Sequence, residues 1–361
     1  MKKLVCLIVV SLLVFGCHAK ESVKEQTSNE TASMSSFDDD YYKIVKLENS
    51  ELREDFYNDY GTTSDFKTIG RGLQLLSSEY FSTKDYYMSE GQYLGTKELS
   101  QLIKRDSDPT VYPYTLQPAK GTKIENVDEP ILVSNVQEQD YYVKEGNNYI
   151  LKGVSFAIIL HPLQSNGQAL STPFSDSVIA SYGKDIIPKF YKFIREYDSF
   201  AKIRELPIFI TVYQATDLTS STVDGNYILK SYCQKGEQGT IQNVNFENVI
   251  FASSRAEEID SVTASEFDIV KQSLKDASIE AAGLQGTARY VDGKIQSMII
   301  NANLNVKSYT ELLYLTSMLA DQIDSQFSYD FDMKVLVNSQ DDLQAIIIKN
   351  KGEKVKSEIL Y

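Results

Sequence analysis

"GTARYVDGKIQSMIINANL" (Gly286–Leu304) decides the fold class. Apolar and polar residues alternate on either side of Asp292-Gly293, a pair that tolerates positive φ in a two-residue turn. The stretch therefore reads as an antiparallel hairpin whose strands each offer one apolar face.

The neighbours on either side are helical. Upstream, Thr263 and Glu266 have the spacing of a capping box, and Phe267, Val270 and Leu274 follow on one face. Downstream, Ser308 and Glu311 repeat that spacing and open a helix with Leu312, Leu315, Leu319 and Ile323 inward. "YDFDMKVLVNS" (Tyr329–Ser339) and "LQAIIIKN" (Leu343–Asn350) then read as two closing strands.

An earlier stretch has the same order. "GVSFAIILH" (Gly153–His161) reads as a strand, and Ile179, Tyr182, Ile186, Phe190, Phe193, Ile194 and Tyr197 recur at helical spacing. Pro188 falls inside that helix and is expected to kink it, because its nitrogen donates no bond. "PIFITVYQA" (Pro207–Ala215) and "GNYILKSYC" (Gly225–Cys233) follow as strands, and "FITVYQATDL" matches "MKVLVNSQDDL" in pattern. The prediction is an α+β fold of mainly antiparallel sheets covered by long amphipathic helices, in two related halves, 150–253 and 254–361. Residues 41–149 read as a mixed helix and loop region. In it Thr96 caps a helix with Leu99, Leu102 and Ile103 on one face, and the three prolines of "DPTVYPYTLQPAKG" (Asp108–Gly121) mark irregular structure.

The first forty residues give an address. Lys2 and Lys3 precede an apolar run from Leu4 to Phe15, too short to span a bilayer. Val14-Phe15-Gly16-Cys17 looks like a bacterial lipobox, so residues 1–16 are expected to be a signal peptide cut between Gly16 and Cys17. Cys17 would then carry the diacylglycerol anchor. Residues 17–40, rich in Ser, Glu, Thr and Asp, cannot bury enough surface to offset chain entropy and are expected to form a disordered tether. Asp38-Asp39-Asp40 reads there as a solvated charge run rather than a cation cage.

Composition narrows the function. The net charge is −14, the wrong sign for nucleic acid or anionic lipid headgroups. Once lipidation consumes Cys17, Cys233 is the one cysteine of the mature chain, so no internal disulfide forms. Cys233 ends an apolar alternation and reads as a small buried hydrophobe. An exported domain of this kind fits a Gram-positive surface better than a disulfide-forming periplasm.

His161 is the only histidine beyond the tether, which excludes zinc sites built on several histidines. It ends a strand just before Pro162, a structural position. There is no nucleophile elbow, phosphate-binding glycine loop or zincin helix. The 50 acidic residues offer many carboxylates, but no pair stands out by context. The chain is expected not to be an enzyme, to need no metal or cofactor, and to be a monomer. Its 24 tyrosines, in a chain without Trp, are expected to fill the core and its rim rather than form a ligand platform.

"GRGLQLLSSEYFSTKDYYMSEGQYL" (Gly70–Leu94), "VSNVQEQDYY" (Val133–Tyr142), "GVSFAIIL" and "LPIFITVYQ" resemble the CamS family of Firmicute surface lipoproteins, the sex pheromone precursors. Arg71-Gly72-Leu73, Glu90-Gly91-Gln92 and Glu138-Gln139-Asp140 carry the resemblance in that order. It implies a membrane-anchored α+β domain, held by lipid on Cys17 at the extracellular face of the cell membrane. It also implies a short apolar peptide released from the signal segment as a conjugation pheromone, here Val10, Ser11, Leu12, Leu13, Val14, Phe15 and Gly16. Two other readings are open: a solute-binding lipoprotein of an importer, and a module binding wall glycan or a partner protein.

Overall fold

The computed structural model describes residues 31–32, 41–45, 49–216, 224–278, 283–340 and 342–360. Val10 to Cys17, with the expected cleavage and lipidation site, and Asp38–Asp40 lie outside the described residues.

The described residues begin with β1 (Thr31–Ala32) and β2 (Lys43–Val45), which pair antiparallel. Three helices follow, α1 (Arg53–Tyr60), α2 (Asp65–Ser77) and α3 (Thr96–Ile103), with β3 (Tyr87–Glu90) between the last two. β3 runs parallel to β2. A two-stranded ribbon, β4 (Lys123–Ile124) and β5 (Val127–Asp128), stands apart from the main sheet.

The first half is built on a long hairpin, β6 (Ile131–Glu145) and β7 (Asn148–Leu163). α4 (Asp176–Glu196) carries the chain to β8 (Ile208–Gln214), parallel to β7, and β9 (Asn226–Cys233) returns antiparallel. Val154, Phe156, Ile158 and Leu160 pack with Ile186, Phe190 and Phe193 of α4. On the other face Ala157, Ile159, Phe209 and Tyr213 pack with Ile69, Leu73 and Leu76 of α2. Covered on both sides, β7 reads as one apolar run rather than an alternation.

β10 (Gln242–Ile250) bridges the halves, antiparallel to β9 and to β11 (Gly283–Val291). α5 (Ser254–Ile259) and α6 (Ser261–Ala277) lie between β10 and β11 in sequence. β11 forms the hairpin with β12 (Lys294–Leu304). At its turn Asp292 and Gly293 both adopt positive φ, 49° and 75°. α7 (Tyr309–Ser325) crosses to β13 (Asp332–Ser339), parallel to β12, and β14 (Asp342–Lys349) and β15 (Lys356–Ile359) complete the sheet antiparallel. Phe267, Val270, Leu312, Leu315 and Leu319 cover its inner face.

Both halves thus show one pairing scheme: antiparallel hairpin, helix, parallel strand, antiparallel return. β8 and β13, whose sequences match in pattern, hold equivalent places in it. Among the described residues the two halves share a single 13-stranded sheet, mostly antiparallel, with parallel pairings at β2–β3, β7–β8 and β12–β13.

Several expectations change. The region 41–149 is not only helix and loop, for it contains the 15-residue β6. Buried Asn135, Glu138, Gln139 and Asp140 interrupt the apolar alternation that would have revealed it. The division at 150 falls inside β7, and one at 254 follows a strand hydrogen-bonded to both halves. Thr31–Ala32 pair as a strand within the stretch expected to be coil. α6 starts earlier than its capping-box spacing suggests, with Asp260 accepting from the Thr263 amide, and α3 starts after Gly95 rather than Thr96. Asp is as good an N-cap as Thr, so the acceptor one turn earlier wins. Pro188 lies inside α4, which is one element from Asp176 to Glu196. Among the described residues no helix is long and apolar enough to cross a membrane.

Candidate functional site

α1, α2, the loop after β3 and the middle of β6 enclose a cavity of about 780 Å³, within the size range of small-ligand sites. Its position follows from how α2 is seated. Asp65, at the first turn of α2, is buried and accepts from the Tyr213 hydroxyl (2.7 Å), the Gly225 amide (2.6 Å) and the Thr216 amide (3.1 Å). Two turns on, a Cβ on Gly72 would come within 2.4 Å of the Tyr227 ring, so only glycine lets the helix lie this close to β9. The Gly70 carbonyl accepts from Gln139 Nε2 at 2.9 Å, which fixes α2 to β6.

Seated this way, α2 presents Phe66, Lys67, Gly70 and Arg71 to the cavity. Lys67 and Arg71 are one turn apart, and the Arg71 guanidinium lies 3.9 Å from the centre of the Tyr41 ring. α1 supplies Phe56 and Tyr57, whose rings meet Phe66 at 5.7 and 6.0 Å. At the rim Arg53 joins Asn49 (2.6 Å) and Glu90 (3.6 Å).

The remaining wall is the loop that leaves β3. β3 pairs with β6 up to Glu90 opposite Gln139, and at Gly91 the chain turns over Glu138. A Cβ on Gly91 would stand 2.3 Å from that of Glu138, so the crossing requires glycine. Glu138 accepts from the amides of Tyr93 (3.2 Å) and Leu94 (2.7 Å), and Asp140 Oδ2 accepts from the Gln92 amide (3.2 Å). Burial pushes the pKa of both carboxyls up. Asp140 rises well above the usual carboxylate range, because it also lies against Glu138 and hydrogen-bonds to it. Two carboxylates cannot bond to each other without a proton, so the pair shares one. Both carboxyls are thus committed to folding the loop rather than presented to a substrate.

The three triplets that carried the family resemblance therefore converge. Arg71 lines the cavity and Gly72 seats its helix; Glu90 and Gly91 start the loop; Glu138 and Asp140 hold it. Glu138 and Asp140 escaped notice as a pair in the sequence, although positions two apart on a strand share a face.

The other residues of interest lie elsewhere. His161 borders a second cavity of about 100 Å³ with Pro162, Phe174 and Gln214. Cys233 is a buried free thiol that accepts from the Gly239 amide. Tyr42, Tyr60, Tyr141, Tyr142, Tyr213, Tyr227 and Tyr290 are among the largest fully buried side chains, so tyrosine does fill the core. Among the described residues no group of three or more His, Cys, Asp or Glu is placed to hold a metal ion.

Residues 47–355 match the model of a family described as CamS sex pheromone cAM373 precursor. A sex pheromone precursor from Lactobacillus salivarius subsp. salivarius has a similar structure, with a TM-score of 0.79 at 21% identity over 92% of this chain and 99% of that one. The C-terminal domain of the staph-cAM373 precursor from Staphylococcus aureus follows at 0.65 and 19%, over 82% and 96%. At these identities the likeness is one of fold. No curated protein matches the chain. The family model spans most of the sequence, and the chain belongs to the CamS sex pheromone cAM373 precursor family.

Proposed function

We propose that this chain is a lipoprotein anchored to the outer face of the cell membrane through Cys17, with a non-enzymatic, monomeric binding domain. In the same reading the leader releases Val10–Gly16 as a conjugation pheromone. The observation that carries the binding role is the cavity between α1, α2 and the loop after β3. It is of ligand size and of mixed apolar and charged lining, and both carboxyls of its buried pair are already hydrogen-bonded. The sequence Val14-Phe15-Gly16-Cys17 before a polar stretch supports the anchor, since processing there supplies the several acyl chains that stable anchoring needs.

Fatty-acid labelling and membrane fractionation of wild type and Cys17→Ala test the anchor. The variant should lose label and leave the membrane fraction; an unchanged distribution would refute the lipoprotein reading. For the peptide, exchanging residues 1–16 for an unrelated lipoprotein leader should abolish conjugation-inducing activity in culture supernatant, and synthetic Val10–Gly16 should restore it. Inert native supernatant and inert peptide would remove the pheromone role.

A further inference from the structure

We infer that the cavity binds the C-terminal end of a short apolar peptide, its free carboxylate held by Lys67 and Arg71. The inference rests on the binding-domain reading above and specifies the ligand. The chain carries a net charge of −14, yet α2 turns two cations into this one cavity, one helical turn apart. The third cation, Arg53, is paired with Glu90 at the rim. The Arg71 guanidinium rests over the Tyr41 ring, 3.9 Å from its centre, which orders it ahead of binding, and its planar fork suits a carboxylate.

Beside the cations lies an apolar surface of Phe56, Tyr57, Phe66, Leu94 and Val136. It would take apolar side chains next to the carboxylate. One lining residue distinguishes a peptide from a fatty acid, because it offers an acceptor that needs a donor. Gln137, in the cavity lining, has its Oε1 buried without a hydrogen-bond partner. A buried acceptor left unpaired is uncommon in a folded protein, and a peptide supplies backbone N–H groups where a fatty acid has none.

The test uses the purified full-length chain and three probes: an acetylated peptide of leucine and alanine with a free C-terminus, the same peptide as its C-terminal amide, and decanoate. Binding is read by calorimetry and by the rise in melting temperature that a native-state ligand produces. The free-acid peptide should bind and raise the melting temperature, with the amide at least about tenfold weaker. Lys67→Gln, at an exposed position, should weaken the free acid by a similar factor without altering the melting temperature of the unliganded chain, and Arg71→Gln should act in the same direction. Equal binding of acid and amide, or indifference to Lys67→Gln, overturns carboxylate recognition but leaves the cavity as a ligand site. Decanoate binding as well as the peptide overturns the peptide assignment. Failure of all three probes overturns the inference outright, whereas the binding-domain reading falls only if ligands of other classes also leave the cavity empty.

Discussion

Asp140 follows Glu138 by two residues on β6, and the two buried carboxyls, hydrogen-bonded to each other, hold one loop from the same side. The arrangement ties the wall of the cavity to a single proton.

The stability of this wall should therefore depend on pH, with a definite sign. Both folded-state values lie above those of the unfolded chain, so the unfolded state binds fewer protons than the folded one above about pH 4. The stabilisation is complete below that pH and is lost as pH rises through the raised folded values. Asn at 140 copies the protonated acid, so Asp140→Asn should flatten the fall in melting temperature from pH 4 upward. A variant that steepens the fall would contradict the shared proton.

Glu138→Gln should be costlier. Gln keeps one acceptor oxygen for the Tyr93 and Leu94 amides but loses the second oxygen and the charge that strengthens these bonds, at about 1–3 kcal/mol. Denaturant unfolding measures the loss, and hydrogen exchange should localise it to Gly91–Leu94.

Gly91→Ala should destabilise through contact rather than charge. The new methyl must displace the Glu138 Cβ, which stands 2.3 Å from its ideal position, and overpacking of this kind costs about 1–3 kcal/mol. A variant as stable as wild type would mean that the loop has room to lift.

Asp65→Ala removes the acceptor of four donors beneath α2, the Tyr213 and Thr216 hydroxyls and the Thr216 and Gly225 amides, so a loss of about 3 kcal/mol is expected. Because the same carboxylate seats the helix bearing Lys67 and Arg71, ligand binding should weaken along with the melting temperature.

Cys233→Ser should cost at most a few kcal/mol, through a lost buried contact, and reductant should leave the melting temperature of the unaltered chain unchanged. A large drop on adding reductant would imply a disulfide the chain is expected to lack.

What the sequence determined by itself is local. The Asp292-Gly293 turn, the cap of α7, the inward faces of α4 and α7, and the strands that alternate over one buried face were legible because each is set by residues within a few positions of one another. So was the similarity of β8 to β13, which marked the repeated scheme before any pairing was known. The tertiary structure alone decided that β10 joins the halves into one sheet, since no residue in a strand names its partner. It alone showed β6 as a strand, because burial on both faces, with polar side chains satisfied by distant groups, erases the period of two. The cavity likewise exists only in the fold. Lys67, Glu90 and Glu138 are far apart in the chain, and their meeting depends on Gly72 letting α2 settle on β9 and on a loop that crosses Glu138 only where Gly91 has no side chain.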